Sequence, residues 1–223
     1  MIPQNDKNTD IRRNTLLAAA KLFIERGYTG ATVRDIADAA DVNVSAMVRT
    51  MKNKEHILYE MVQFVLDGQF KAAANLLRGV TDDKILFYAA ETTLQLYMVE
   101  SNENIRELYA VAYSLPHTSS LIMHTITAKL EHIFAEQLPN LETKDFFELE
   151  IASGGVMRSF MTVPCDMYFT MERKVRRFLE ATFRIYQVPE EKIEEAIKFV
   201  SQFDYPTIAQ NTINSMLSYL DRN

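Results

Sequence analysis

Residues Arg12–Leu58 read RRNTLLAAAKLFIERGYTGATVRDIADAADVNVSAMVRTMKNKEHIL. Leu16, Ala19, Ala20 and Phe23 recur at three- and four-residue spacing, which predicts one buried stripe on a first helix from about Thr9 to Arg26. Gly27 follows where a helix end often needs a positive φ. Thr32 and Asp35 form a Thr-x-x-acid pair able to satisfy the free N–H groups that open a second helix, whose Val33, Ile36, Ala37 and Ala40 share a face. Only Asp41–Val42–Asn43 separates this helix from the next, and Asn43 is a good N-cap for it. Two short helices, a three-residue turn and small residues at the crossing describe a helix-turn-helix. A fourth helix opens at Asn53 and runs to about Arg78, long enough to leave this head and enter the remainder of the chain.

Outward from that stretch the pattern stays helical, with no alternation at period two and no internal repeat. Short polar breaks fall near Gly27–Gly30, Asp41–Asn43, Lys52–Asn53, Gly79–Asp82, Ser101–Asn102, Pro116, Pro139–Thr143, Pro164, Pro189 and Pro206. The expectation is an all-α protein of about ten helices, with a head over residues 1–55 and a larger body over 56–223. Six Gly and six Pro in 223 residues are too few for a Gly-punctuated β chain or a long linker. No apolar run is long enough to span a membrane, and the polar N-terminus lacks a signal-peptide core. One cysteine, Cys165, excludes an internal disulfide and fits a reducing, cytoplasmic setting. The net charge of −6 is unevenly spread: residues 1–56 hold nine Lys/Arg against seven Asp/Glu, and the rest hold 15 against 23. The positive excess lies where a phosphate-facing surface would have to be.

The head resembles the TetR family of transcriptional regulators. The matching features are the Ala-rich first helix ending in Phe23, Glu25, Gly27 and Tyr28, the Thr32, Asp35, Ile36, Ala37 pattern of the second helix, and the Lys54–Glu55 pair that opens the fourth. The resemblance covers about a fifth of the chain. It implies a homodimer that binds double-stranded DNA, a ligand cavity in the body, and repression relieved by ligand. Four positions depart from the family pattern. Asp41 stands where Gly is usual, and Val48, Thr50 and Met51 stand in place of the usual Tyr, His and Phe of the recognition helix. They leave open a second reading, a TetR-like fold with weakened operator binding that acts through a protein partner.

Early residues of a recognition helix face base edges in the major groove, which selects Asn43, Val44, Ser45 and Ala46, with Arg49 one turn on. Val44 and Ala46 suit thymine methyl groups, and Arg49 suits guanine or phosphate. Thr32, Arg34, Lys52 and Lys54 are candidates for backbone contacts, Lys54 because it lies at a helix N-terminus. In the body, Tyr88, Tyr97, Tyr109, Tyr113, Met123 and Met157 are the candidate ligand contacts. Little formal charge falls among them, so the expected effector is a small, mostly apolar molecule.

Residues 144–163 and 170–187 read as two helices that pair across a dimer. Gly154 and Gly155 sit inside the first, where two mid-helix glycines cost roughly 1–2 kcal/mol relative to alanine unless another helix approaches closely. Val175, Phe178, Leu179, Thr182 and Tyr186 form the stripe of the second. Nothing in the sequence points to an enzyme or a cofactor: it has no Gly-rich phosphate loop, H-E-x-x-H or Cys–Cys spacing. His117, His124 and His132 lie seven and eight residues apart, and a metal site would still need Glu131 or Glu136, so no metal is expected.

Overall fold

The computed structural model describes residues 4–222. Among these are eleven helices and no strand: α1 (Gln4–Gly30), α2 (Val33–Ala39), α3 (Val44–Met51), α4 (Lys54–Leu77), α5 (Lys84–Glu100), α6 (Glu103–Ala112), α7 (Pro116–Phe134), α8 (Thr143–Thr162), α9 (Met171–Ile185), α10 (Glu190–Val200) and α11 (Tyr205–Arg222). Each of the ten expected breaks is present. Pro206 falls inside the first turn of α11, where its missing N–H loses no hydrogen bond. At the end of α1, Gly27 leaves helical geometry with φ 74° and ψ 169°.

The head closes on small residues. Ala18, Ala19 and Phe23 of α1, Ile36 and Ala37 of α2 and Met47 and Met51 of α3 are buried together. Ile57 and Met61 of α4 and Leu220 of α11 complete that cluster, so the head core draws on helices from both ends of the chain. The caps act locally. Thr32 Oγ1 accepts from Asp35 N at 3.1 Å while Thr32 N donates to Asp35 Oδ2 at 2.8 Å. Asn43 Oδ1 accepts from Ser45 N at 2.8 Å to open α3, and Asn53 Oδ1 accepts from His56 N at 2.8 Å to open α4.

In the body α5 is the axial helix, with 12 of its 17 residues buried, and it touches α4 and every helix from α6 to α11. A helix wrapped on all sides has no solvent face, so any polar side chain on it needs an internal partner. At its C-terminal end Glu100 meets this need by accepting from the buried Lys174 ammonium at 2.7 Å and from Arg106 at 3.0 Å, which ties α9 and α6 to α5.

The stripe expected to pair across a dimer has a different place. Val175, Phe178, Leu179, Thr182 and Tyr186 are all buried within the chain's own core, with Tyr186 stacked on Phe134 at 4.1 Å. Their helical period is real, but the surface they cover is α5 and its neighbours, so they have none to offer a second copy. The two glycines of α8 also part company. A Cβ on Gly154 would lie 2.7 Å from Glu150 Oε1, so this glycine faces inward; a Cβ on Gly155 would meet open space.

Candidate functional site

The buried face of α3 is fixed by Met47 and Met51, and the helical period then decides what stands outward. Val44 is 38% exposed and Val48 43% exposed, one turn apart, with Ser45 and Arg49 beside them. Asn43, Lys52, Thr32 and Arg34 are exposed as well, and Ala46 is half-buried. Lys54 differs from the others. It is half-buried, its ammonium sits 4.1 Å from the centre of the Tyr28 ring, and burial holds its pKa below the ordinary lysine value. In this conformation Lys54 ties α1 to α4 instead of pointing outward. Val48 is the residue that sequence reasoning left out of the candidate face, and its one-turn spacing from Val44 was the available signal.

A second feature lies deep in the body. α4, α5, α7, α8 and α9 line a cavity of about 30 Å³. Of the candidate ligand contacts, Tyr88, Tyr113 and Met157 line it. Tyr109 stands just behind, its hydroxyl donating to Gln69 Oε1 at 3.1 Å. Tyr97 is elsewhere, stacked on Tyr205 at 5.4 Å, and Met123 is not part of the wall. Both were chosen by aromatic and methionine recurrence, which cannot tell which side of a helix faces the cavity.

The expectation of little charge in this cavity is overturned. Glu91 of α5 and Glu150 of α8 both line it, 4% and 3% exposed. Glu91 Oε1 accepts from Gln69 Nε2 at 2.8 Å. Glu150 Oε2 accepts from Ser153 Oγ at 2.8 Å, and Ser153 Oγ in turn accepts from the Tyr186 hydroxyl at 2.6 Å. Burial pushes the Glu91 carboxyl up to about 7, against smaller opposing effects of the Gln69 bond and the Lys129 charge. Burial likewise pushes Glu150 up to about 7, with the Glu91 charge adding to the rise. Desolvation raises the Tyr113 and Tyr109 phenols well above their ordinary value. Glu91 was detectable in principle, as a lone carboxylate in the middle of an otherwise apolar or uncharged run, ILFYAAETTLQLYMV. Glu150 was not, because Glu148 two residues earlier is exposed and nothing local separates the two.

Cavity and head are joined by two helices. α4 carries Ile57 and Met61 in the head core and Gln69 in the cavity network. α6 carries Tyr109 on the cavity side, and on its other side Glu107 Oε1 accepts from Thr29 N at 3.0 Å and from Thr29 Oγ1 at 2.7 Å. Asn104 Nδ2 donates to the carbonyls of Ile24 and Glu25, both at 3.0 Å. Gly27 leaves the room that this docking requires, since a Cβ there would collide with the Glu107 carboxylate.

Residues 16–61 match the family model described as bacterial regulatory proteins, tetR family. The probable HTH-type transcriptional regulator YttP of Bacillus subtilis (strain 168) is 27% identical over 162 residues, 70% of this chain and 70% of that one. The HTH-type transcriptional repressor KstR2 of Rhodococcus jostii (strain RHA1) is 36% identical over 83 residues, 37% of this chain and 41% of that one. The helix-turn-helix head is that of the TetR family. Its fold agrees with the crystal structure of RolR in complex with resorcinol, at a TM-score of 0.69 over 90% of this chain and 97% of that chain, with 15% identity.

Within the TetR pattern, three of the four departures have a structural account. Met51 is a core residue of the head. Thr50 Oγ1 donates to the Ala46 carbonyl of its own helix at 3.1 Å. Asp41 adopts the left-handed turn that the usual glycine would, with φ 52°, and its N–H reaches Asp38 O at 3.2 Å. Only Val48 changes the outward face of α3.

Other candidate chemistry is quiet. Among the described residues no group of three His, Cys, Asp or Glu side chains could hold a metal ion. His124 instead stacks on Phe147 at 5.4 Å. Burial raises the Cys165 thiol, the opposite of activation, and its Sγ lies 3.7 Å from Met171 Sδ. Among the described residues no helix is long and apolar enough to cross a membrane.

Proposed function

We propose that this TetR-family regulator is a ligand-responsive repressor that binds a near-palindromic operator as a homodimer. The observation that carries this reading is the free outer face of α3. Val44, Ser45, Val48 and Arg49 stand exposed on a helix whose opposite face is locked into the head by Met47 and Met51. That arrangement suits insertion into a major groove: two valines one turn apart offer apolar contact to thymine methyls, and Arg49 reaches guanine or phosphate. Thr32, Arg34, Asn43 and Lys52 flank the face as phosphate contacts.

The effector enters the cavity at Glu91 and Glu150, and it shifts the population between two arrangements of the body. Gln69 and Ile57 lie twelve residues apart on α4, about 18 Å along one helix. A change in how Gln69 is held therefore reaches the head as a rigid tilt. α6 adds a second route through Tyr109, Glu107 and Thr29.

The dimer uses the outer side of α8, where Ile151 is 56% exposed, Ala152 and Ser159 are exposed, and Gly155 faces open space. An uncovered glycine inside a helix costs about 1 kcal/mol relative to alanine, which close approach of a partner helix would offset. In a dimer, two α3 helices about 34 Å apart read successive major grooves.

The test is binding to DNA from the protein's own promoter region, by fluorescence anisotropy across a salt series. Saturable, sequence-selective binding by a dimer, weakening steeply with salt, is the expected result. A folded protein with no selective binding at low salt refutes the proposal.

A further inference from the structure

The wall of the central cavity specifies the chemistry of what it takes. Two carboxylates, on α5 and α8, line one cavity, and each receives one side-chain hydrogen bond among the described residues, from a neutral amide or a neutral hydroxyl. An ionised carboxylate offers about four acceptor positions and, when buried, is ordinarily matched by a cation. The cation among the lining residues is Lys129, whose side chain is exposed and lies 5.0 Å from the centre of the Phe70 ring at the cavity's edge. Two buried carboxylates thus face one cation, which stands at the cavity's solvent-exposed edge and hydrogen-bonds to neither among the described residues. Gly154 makes room for the Glu150 carboxylate at this wall, since a Cβ there would stand 2.7 Å from Glu150 Oε1. The rings of Tyr88, Tyr113, Phe70 and Phe178 stand around the same space, and aromatic faces attract cations.

Beyond Tyr113 and Gln95 lies a second cavity of about 30 Å³, walled by Leu58, Val62, Leu66 and Ile122, with no charged side chain in its lining. Tyr113 and Gln95 belong to both walls, so movement of the Tyr113 ring would join an acidic chamber to an apolar one. We infer that the effector is an amphipathic organic cation, its ammonium held between Glu91 and Glu150 and its apolar body lying in the chamber behind Tyr113. This rests on the cavity being the effector site of the proposed regulator, and it replaces a mostly apolar effector with a charged one. Both carboxyls titrate near neutrality when the cavity is empty, so protons compete with the cation. The other groups facing them are Gln69 of α4, Tyr88 and Gln95 of α5, Tyr109 of α6 and Tyr113 just beyond it. From the far side come Lys129 of α7, Ser153 of α8 and Tyr186 of α9. Among these Lys129 is the only competing cation.

The experiment is calorimetric titration of the full-length protein with three probes of similar shape: 2-phenylethylammonium, 2-phenylethanol and 3-phenylpropanoate. At pH 8 the cation is expected to bind at least about tenfold more tightly than the alcohol, with the carboxylate weakest. The cation's affinity should fall about tenfold or more between pH 8 and pH 6, while the alcohol's stays level. Glu91→Gln and Glu150→Gln should each remove most of the preference and leave alcohol binding in place, and thermal melting checks that both variants fold. Equal or tighter binding of the alcohol, a preference that survives both substitutions, or no binding of any probe at millimolar concentration overturns the inference. Operator binding measured on the same samples separates the two levels. Intact operator binding without a cation preference sinks this inference alone, whereas loss of operator binding by the unaltered protein sinks the regulator reading.

Discussion

The head and the central cavity share helix α4, and they are assembled in opposite ways. In the head, each decisive polar group acts within its own turn of chain: Thr32 with Asp35, Asn43 with Ser45, Asn53 with His56. The outward face of α3 follows from the period of a single helix. In the cavity, Glu150 is bonded from Ser153 of its own helix, but the network it belongs to crosses between helices. Glu91 is bonded from Gln69, 22 positions away, and Ser153 from Tyr186, 33 positions away. The head is apolar inside and polar outside, while the body keeps two carboxylates inside. A head that must present the same face to any DNA is served by a tight alanine core. A cavity that must respond to a small molecule is served by polar groups whose internal partners leave them incompletely matched.

The sharpest break of this comparison is Phe178→Ala. Phe178 is fully buried and packs edge-on against Phe160 at 5.9 Å, so truncation should destabilise the protein by about 3–5 kcal/mol in denaturant unfolding. A variant of unchanged stability that instead falls apart into monomers would return this residue to a dimer interface. Next comes Glu91→Gln. A carboxyl raised to about 7 by burial binds its proton more tightly in the folded state. Its contribution to stability is therefore full below the ordinary carboxylate range and is lost as pH rises through about 7. The variant should gain roughly 2–3 kcal/mol over the unaltered protein at pH 8 and nothing at pH 4. A gap that does not change with pH would show that Glu91 is not the group that titrates.

Arg49→Ala tests the head with a smaller effect. Operator affinity should drop by about 1–2 kcal/mol with melting unchanged, because the side chain is exposed. A uniform loss across DNA sequences assigns Arg49 to phosphate, and a loss confined to one base position assigns it to a base. Unchanged affinity removes it from the interface. The smallest effect is expected from Asp41→Gly. Relief of a left-handed φ of 52° should raise stability by about 0.5 kcal/mol with operator affinity unaltered, and a drop in stability would mean that the Asp41 side chain contributes to the turn.

Much of the fold was legible in the sequence. Gly27 ends a helix through its backbone conformation, Asn43 and Asn53 open helices through side-chain caps, and Pro116, Pro189 and Pro206 stand at helix starts, all of them effects that act over a few residues. The same locality made the α3 face readable, apart from Val48, whose exposure needed the positions of Met47 and Met51. The body's sites were harder. The periodic stripe of α9 marks a buried face, but periodicity does not say whether the burying surface belongs to the same chain or to another. Adjacent Gly154 and Gly155 look alike in sequence and differ by about 100° around the helix, which separates a cavity wall from an open surface.

The sequence by itself determined the all-helical class, the helix-turn-helix and the helix boundaries other than those of α1, which runs from Gln4 to Gly30 and not from Thr9 to Arg26, because caps, turn residues and a 3.6-residue period are short-range physics. Tertiary structure alone decided that α5 is wrapped on all sides, that Glu91 and Glu150 share one cavity, and that Lys54 is held against Tyr28. Those outcomes depend on which helices pack against which. Desolvation, which sets the charge state of a buried carboxylate, is a property of everything around it and of no single stretch of chain.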